Sequence, residues 1–133
     1  IDCPPSLGAL TREALAASDL ALVVTTPSYF GAQGVERAMA EIDEIRGTVN
    51  RRLKLAGIVV NRVRATMDEH QYRADELVEI YGRTTMMKPP IPERIAVQQA
   101  EGAGTPVHLV RTPGGREVAD IFDAYLGSLL RKS

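Results

Sequence analysis

A short apolar run at residues 20–26, Leu-Ala-Leu-Val-Val-Thr-Thr, places the strongest constraint on how this 133-residue chain folds. The run is rich in β-branched side chains and lies between Asp19 and Pro27. Such a short, continuous apolar segment is typical of a parallel strand, because helices cover both faces of a parallel sheet. The run therefore predicts a strand that is buried on both faces.

The rest of the chain alternates between helical and extended patterns. Apolar residues at helical spacing predict five helices, over residues 7–17, 31–49, 67–81, 93–100 and 116–131. Extended patterns predict strands over residues 53–61 and around Met86 and Met87, and an edge strand or simply extended chain over 105–110. Strands that alternate with helices form βαβ units with right-handed crossovers. We therefore expect an α/β fold, part of a doubly wound, mostly parallel sheet with helices on both faces.

The first eight residues, Ile-Asp-Cys-Pro-Pro-Ser-Leu-Gly, combine an acid with chain-bending residues. Because proline cannot continue a sheet ladder, Asp2 is predicted to end a strand at the carboxyl edge of the sheet. Ligands bind in the crevice at that edge in open parallel sheets. A carboxylate there commonly serves Mg²⁺, usually through water. The alternative is that Asp2 caps the helix that follows.

Composition narrows the function classes further. The 44% apolar and 25% charged content is ordinary for a globular domain, and the net charge of −1 leaves no global basic field for nucleic acid. The one cysteine, Cys3, excludes an internal disulfide and a multi-cysteine metal site within the sequence. No apolar run approaches the roughly 18 residues of a membrane span. Because the sequence begins at Ile1, in what we expect to be the end of a strand, we interpret it as a fragment.

Four motifs in order resemble the ParA/MinD (deviant Walker A) ATPases, most closely the ParA/Soj partition branch. They lie at residues 2–8, which resemble the Walker B and switch II segment, and at 27–34, 57–62 and 91–107. The resemblance implies a P-loop NTPase-like fold that binds ATP and Mg²⁺. The family's phosphate loop, signature lysine and switch I aspartate precede this segment and are not in the sequence. We therefore expect residues 1–133 to be the C-terminal part of one nucleotide-binding domain.

The resemblance also implies roles for residues at the carboxyl edge of the sheet. Asp2 would hold Mg²⁺, and Asn61 would contact adenine, since a carboxamide matches the paired edge groups of the base. The alternative for Asn61 is an Asx turn that ends its strand, and Arg62 would lie over the base or reach solvent. The switch segment that senses the γ-phosphate would contain Pro4, Pro5, Ser6 and Gly8.

The loop at Pro92, Glu93 and Arg94 would wrap the adenine with main-chain groups. Partition ATPases often carry arginine where this chain has Glu93, so the chain departs from the family pattern at that position. Arg64, and less clearly Arg116, match positions where arginines bind DNA nonspecifically through phosphate charge.

The partners that the resemblance implies are a second copy in an ATP-dependent homodimer, a ParB-like stimulating protein and nonspecific DNA, with no membrane expected. The location would be cytoplasmic and nucleoid-associated. Three alternatives remain: a MinD-like membrane-associated ATPase, a metabolic relative such as a cobyrinate synthase, and a non-enzymatic α/β interaction module. An iron-protein relative needs cluster-binding cysteines, and the single Cys3 argues against it.

Overall fold

A computed structural model of the chain describes residues 1–4 and 6–132. Two strands and five α-helices follow one another in this part. The order is α1 (Ala9–Ala17), β1 (Leu20–Thr25), α2 (Tyr29–Thr48), β2 (Lys54–Val60), α3 (Asp68–Tyr81), α4 (Ile95–Gly102), a 3₁₀ turn (Val107–Leu109) and α5 (Pro113–Leu130). The predicted α/β class is confirmed.

The strands are parallel, and a third extended segment runs beside them. β1 pairs with β2 from Leu20 opposite Lys54 to Thr25 opposite Val60. On the other side of β2, Ile58 N donates to Thr85 O at 2.9 Å, and Ile91 N donates to Val60 O at 2.9 Å. The segment predicted as a strand around Met86 thus lies next to β2, but in the described residues it forms one isolated bridge, between Ile58 and Met86. Prolines 89 and 90 lack the N–H groups that a continuous ladder needs.

Helices cover both faces of β2. Ile58 and Val60 pack with Val35 of α2 and Leu77 of α3 on one face. Val59 packs with Val118 of α5 on the other face. This alternation explains why β2 is apolar at nearly every position: each side chain enters one of two cores.

The prediction that β1 is buried on both faces is wrong. Ala21 and Thr25 are buried, whereas Leu22 is 38% exposed and Val24 is 58% exposed. Val24 is the register partner of Val59, so both side chains lie on the α5 side of the sheet. Helix α5 covers Val59 but leaves Val24 largely uncovered. The apolar run correctly indicated a strand, but it could not show how far the covering helix extends.

Other sequence expectations need local correction. Residues 1–4 contain no strand, and Ile1 is 89% exposed, so the strand expected to end at Asp2 is not formed in the described part. Residues 105–110 hold the 3₁₀ turn, in which Leu109 N donates to Pro106 O, instead of an edge strand. In α3, Leu77 is buried, whereas Tyr72 and Ile80 are exposed, because only a narrow stripe of the helix meets the core.

Side-chain caps account for where two helices begin. Ser28 Oγ accepts a hydrogen bond from Gly31 N at 3.0 Å, and α2 begins at the next residue after this serine. Thr112 Oγ1 accepts from Gly115 N at 3.2 Å, so α5 begins at Pro113, three residues before the predicted start. Both caps satisfy backbone N–H groups that the first helical turn leaves without an internal partner.

Candidate functional site

A cavity of about 1090 Å³ lies between the N-terminal segment and β1. All six residues of β1 line it, which places it along the edge of β1 that does not pair with β2. The cavity brings together four of the predicted site residues: Asp2, Pro4, Ser6 and Asn61. The other predicted residues lie outside its lining: Gly8, Arg62, Arg64, Pro92, Glu93, Arg94 and Arg116. Pro5, which was predicted for the switch, lies outside the described residues.

Asp2 presents an exposed carboxylate that has no ion pair or hydrogen bond with any described residue. The segment after it is held to α1, because Thr11 Oγ1 donates to Ser6 O at 2.9 Å. The alternative role of Asp2 as a helix cap is wrong: the N-cap of α1 is Gly8, and no side chain in the described part caps this helix. The carboxylate is therefore available to a ligand in the cavity.

Asn61 lies at the carboxyl end of β2, and part of its carboxamide is used locally. Its backbone N donates to Thr25 O at 2.7 Å, and its Oδ1 accepts from Arg62 N at 2.9 Å. Arg62 has a φ of 61°, the left-handed region that L-residues seldom adopt. Within the described residues the Nδ2 group has no partner, so the donor half of the carboxamide is available to a ligand. Contact with adenine stays a prediction.

The loop that contains Arg62 and Arg64 is tied to the loop at residues 91–94 by backbone hydrogen bonds. Val63 N donates to Ile91 O at 3.0 Å, and Glu93 N donates to Val63 O at 2.9 Å. The main-chain N–H of Glu93 is therefore already used inside the protein. A main-chain contact with adenine would fall to Pro92 O or Arg94 N, which have no partner in the part of the chain that the structure describes.

Glu93 forms ion pairs with two of the arginines for which the sequence predicts separate roles. Its Oε1 accepts from Arg62 Nη2 at 3.2 Å, and its Oε2 accepts from Arg64 Nε. The hydrogen bond from Arg64 is the largest cause that lowers the pKa of the Glu93 carboxyl, and the same bond raises the pKa of Arg64. The charge of Arg64 is therefore partly compensated. The sequence signal was the acidic residue itself, at a position where partition ATPases often carry arginine.

The remaining two arginines differ in how much of their charge is compensated. Arg94 forms two hydrogen bonds with the carboxylate of Glu117, at 2.7 and 3.1 Å, and this pairing raises its pKa. Arg116 is exposed in the first turn of α5, and its side chain pairs with no described carboxylate. Of the two predicted DNA contacts, Arg64 is thus paired with a carboxylate, and Arg116 is not paired with any described one.

Comparison with known proteins places this architecture in a family. A family model described as an AAA domain matches residues 1–55. The chromosome partitioning protein ParA of Caulobacter vibrioides is 31% identical over 109 residues, which are 82% of this chain and 40% of that protein. The chain belongs to the ParA/MinD-like family of partition ATPases. Among other ParA/Soj relatives, the sporulation initiation inhibitor Soj of Bacillus subtilis is 29% identical, over 82% of this chain and 43% of its own length. The chain thus spans about two fifths of the length of these relatives.

Solved structures agree with the ParA/MinD-like assignment at the level of the fold. Cobyrinic acid a,c-diamide synthase from Mycobacterium smegmatis superimposes with a TM-score of 0.65 and 25% identity, over 95% of this chain and 45% of that one. A structure of the same synthase with bound ADP and magnesium matches 78% of this chain and 47% of its own, with a TM-score of 0.58. Among the described residues, no helix has both the length and the apolarity to cross a membrane.

Proposed function

We propose that the whole protein is a ParA-like ATPase that partitions chromosomes or plasmids, and that residues 1–133 form the C-terminal part of its nucleotide-binding domain. The observation that carries the proposal is the shared cavity, whose lining includes Asp2 together with Asn61, the residue that follows the carboxyl end of β2. Ligands of open α/β sheets bind at this edge. The similarity to ParA and Soj supports ATP hydrolysis as the reaction.

The groups in the cavity fit one side of a magnesium–ATP complex. Asp2 would hold the Mg²⁺ ion, usually through water, and the bound ion would stabilise negative charge on the phosphates. Asn61 would donate from Nδ2 to the base, while Pro4 and Ser6 in the lining, and Gly8 outside it, would adjust to the γ-phosphate. Within the described lining there is no lysine. The family resemblance places the lysine-bearing phosphate loop ahead of residues 2–8. That loop would supply the contacts with the phosphates.

In the proposed cycle, ATP binding drives formation of a homodimer that binds DNA nonspecifically, and a ParB-like protein stimulates hydrolysis. Exposed Arg116 supports a phosphate contact at the start of α5, since no described acid compensates its charge. Arg64 would have to exchange Glu93 for a DNA phosphate. This assignment implies a cytoplasmic, nucleoid-associated protein.

The substitution Asp2→Ala in the whole protein tests the proposed ATPase site. We expect it to abolish most ATP hydrolysis while nucleotide binding falls less, because the metal chiefly stabilises charge that develops on the phosphates. Steady-state turnover and calorimetry with ATP would measure the two effects. Asp120→Ala removes an exposed carboxylate from α5 and serves as the control. Wild-type turnover in the Asp2→Ala protein would reject the metal role of Asp2.

A further inference from the structure

A second cavity, of about 690 Å³, lies at the opposite end of the sheet from Asn61. It is formed around the amino-terminal ends of β1 and β2, together with Thr84 and Thr85. Its lining includes five basic side chains: Arg46, Arg51, Arg52, Lys54 and Lys132. The only carboxylate in the described lining is that of Asp19. Because the whole chain carries a net charge of −1, this basic concentration is local.

A β-bulge shapes this cavity and places one of its lysines. The pairing steps from Ala21 opposite Leu55 to Leu22 opposite Gly57, so Ala56 has no register partner on β1. A bulge bends its strand and frees a backbone group from the ladder. Lys132 Nζ donates to the carbonyl oxygen of Ala56 and thereby ties the residues after α5 to β2. This bond holds the ammonium group of Lys132 at the wall of the cavity.

The bulge also depends on a glycine. Gly57 has a φ of +157°, and a Cβ atom there would lie 2.9 Å from the side chain of Met87 and 3.0 Å from Thr85 O. A residue with a side chain would therefore push the segment at 85–87 away from β2. The local sequence thus maintains a bent strand end, which opens the space that the basic side chains surround.

Most of the positive charge around this cavity is uncompensated. Arg51, Arg52 and Lys54 are exposed, and none of them forms an ion pair with a carboxylate in residues 1–4 or 6–132. Arg46 differs, since it pairs with Asp43 at 2.6 Å. Like charges held at one site repel one another and raise the local concentration of anions. An anionic ligand would remove that repulsion.

The lining favours a phosphate backbone over a nucleobase. No aromatic side chain is present among the described residues that line the cavity, so a base has no ring on which to stack. The basic side chains stand at an open rim, where they can reach successive charges of an extended polyanion. Contacts of this kind bind phosphates without reading base sequence.

We propose that this amino-end cavity, centred on Arg51, Arg52 and Lys54, binds the phosphodiester backbone of duplex DNA. The inference rests on the proposed function for the identity of its polyanion, and it places a DNA contact at the end of the sheet opposite Asn61. Arg51, Arg52 and Lys54 supply charge, and Lys132 supports the wall. The contact is independent of base sequence.

The test measures binding of a fluorescently labelled duplex of random sequence to the whole protein with magnesium and ATP, over a range of salt concentrations. The test variant is Arg51→Glu with Lys54→Glu. Its matched control is Lys88→Glu with Arg111→Glu, which changes the net charge equally at exposed positions outside both cavities. Thermal melting and ATP affinity, measured in parallel, report whether each variant is folded. The charge-conserving variant Arg51→Lys completes the set.

We expect the test variant to bind duplex DNA about tenfold or more weakly than the control variant, and to reduce the salt slope of log K by about 1 for each lost phosphate contact. Melting temperature and ATP affinity should match wild type, and Arg51→Lys should bind DNA like wild type. Equal DNA binding by the test and control variants would overturn the inference and leave the proposed function intact. A wild-type protein that hydrolyses ATP but binds no duplex would instead overturn the proposed DNA binding itself. Loss of binding to anionic vesicles, with DNA binding unchanged, would show that the cavity serves a membrane and would also overturn the inference.

Discussion

At the residue scale, Glu93 connects two loops that lie far apart in sequence. Its two carboxylate oxygens accept hydrogen bonds from Arg62 and Arg64, and its side chain is 21% exposed. Its backbone N–H is bound to Val63 O as well. The residue thus holds the segment after β2 against the segment before α4, next to the end of the strand where Asn61 lies.

Glu93→Gln should make the protein less stable at neutral pH and less sensitive to acid. The pKa of the Glu93 carboxyl is lowered in the fold, chiefly by Arg64, so its stabilisation is present above the unfolded value of 4.5 and is lost as pH falls through the folded value. Urea unfolding at neutral pH and at about pH 3 would measure both differences. Glu79→Gln, at an exposed position of α3, is the control. An unchanged urea midpoint at neutral pH would contradict the role of the Glu93 ion pairs.

Tyr125 is a second residue whose surroundings change its titration. Its hydroxyl donates to Pro89 O, and burial raises its pKa from 10.0 to about 12. The fold favours the neutral phenol, so stability should fall as pH rises from the ordinary tyrosine value towards the folded one. Tyr125→Phe should lower the free energy of unfolding by about 1 kcal/mol at neutral pH. In a titration followed by tyrosinate absorbance, the substitution should also remove the step that occurs at the highest pH.

Denaturant unfolding and tyrosinate absorbance, followed over the alkaline range, check this expectation. Tyr72→Phe provides the comparison, because Tyr72 is 59% exposed. If the highest tyrosinate step persisted in the Tyr125→Phe protein, the assignment of that pKa would be wrong.

At the element scale, each helix buries a narrower stripe than its apolar residues indicate. In α3, Leu77 is 1% exposed and packs with Ile58 and Met86, whereas Ile80 on the same helix is 62% exposed. Both are large apolar residues, and their spacing in sequence does not distinguish them. The neighbouring α2 and β2 decide which one reaches the core.

Leu77→Ala should destabilise the protein by about 2–5 kcal/mol, because it leaves a cavity in a closely packed core. Ile80→Ala on the same helix should lower the free energy of unfolding far less, because most of the Ile80 side chain is already exposed to solvent. Chemical denaturation of the two variants compares the free energy of unfolding that is lost at a buried and at an exposed position of α3. Similar losses for both would show that α3 packs through a wider face than the structure describes.

At the scale of the whole molecule, β1 has an open edge and an uncovered face. In the described residues, β1 pairs only with β2. Val24 is 58% exposed on the α5 side, where Phe122 and Leu126 are also exposed, at 38% and 56%. An unpaired strand edge beside apolar surface invites pairing with another chain.

We therefore expect the 133-residue chain by itself to associate. We also expect it to bind ATP weakly at best and to hydrolyse none, because the described lining of the cavity that holds Asp2 and Asn61 has no lysine to contact the phosphates. Val24→Lys should reduce association, because a charge on an exposed edge strand opposes edge-to-edge pairing. Sedimentation of the wild type and the variant measures this. Val49→Lys, at the end of α2, is the control, since Val49 is also exposed, at 65%. A monomeric wild-type chain that binds ATP with micromolar affinity would contradict the expectation.

Local patterns were enough to predict the class of the fold and part of the candidate site. Apolar runs and helical spacing are properties of neighbouring residues, so they indicated both strands and all five α-helices. Asp2 and Asn61 both line one cavity, but residues 1–4 form no strand, so the strand end expected at Asp2 does not account for its place there. Their roles towards Mg²⁺ and adenine stay predictions.

Tertiary structure decided the features that depend on residues distant in sequence. Arg64 and Glu93 are 29 positions apart, and Lys132 and Ala56 are 76 apart, so no local pattern predicted either contact. The exposed face of β1 depends on how far α5 extends across the sheet. The basic cavity depends on a bulge at Ala56 and on the chain's return after α5. Sequence by itself determined which segments become strands and helices, because that depends on local periodicity; packing determined which charges are paired and which faces are covered.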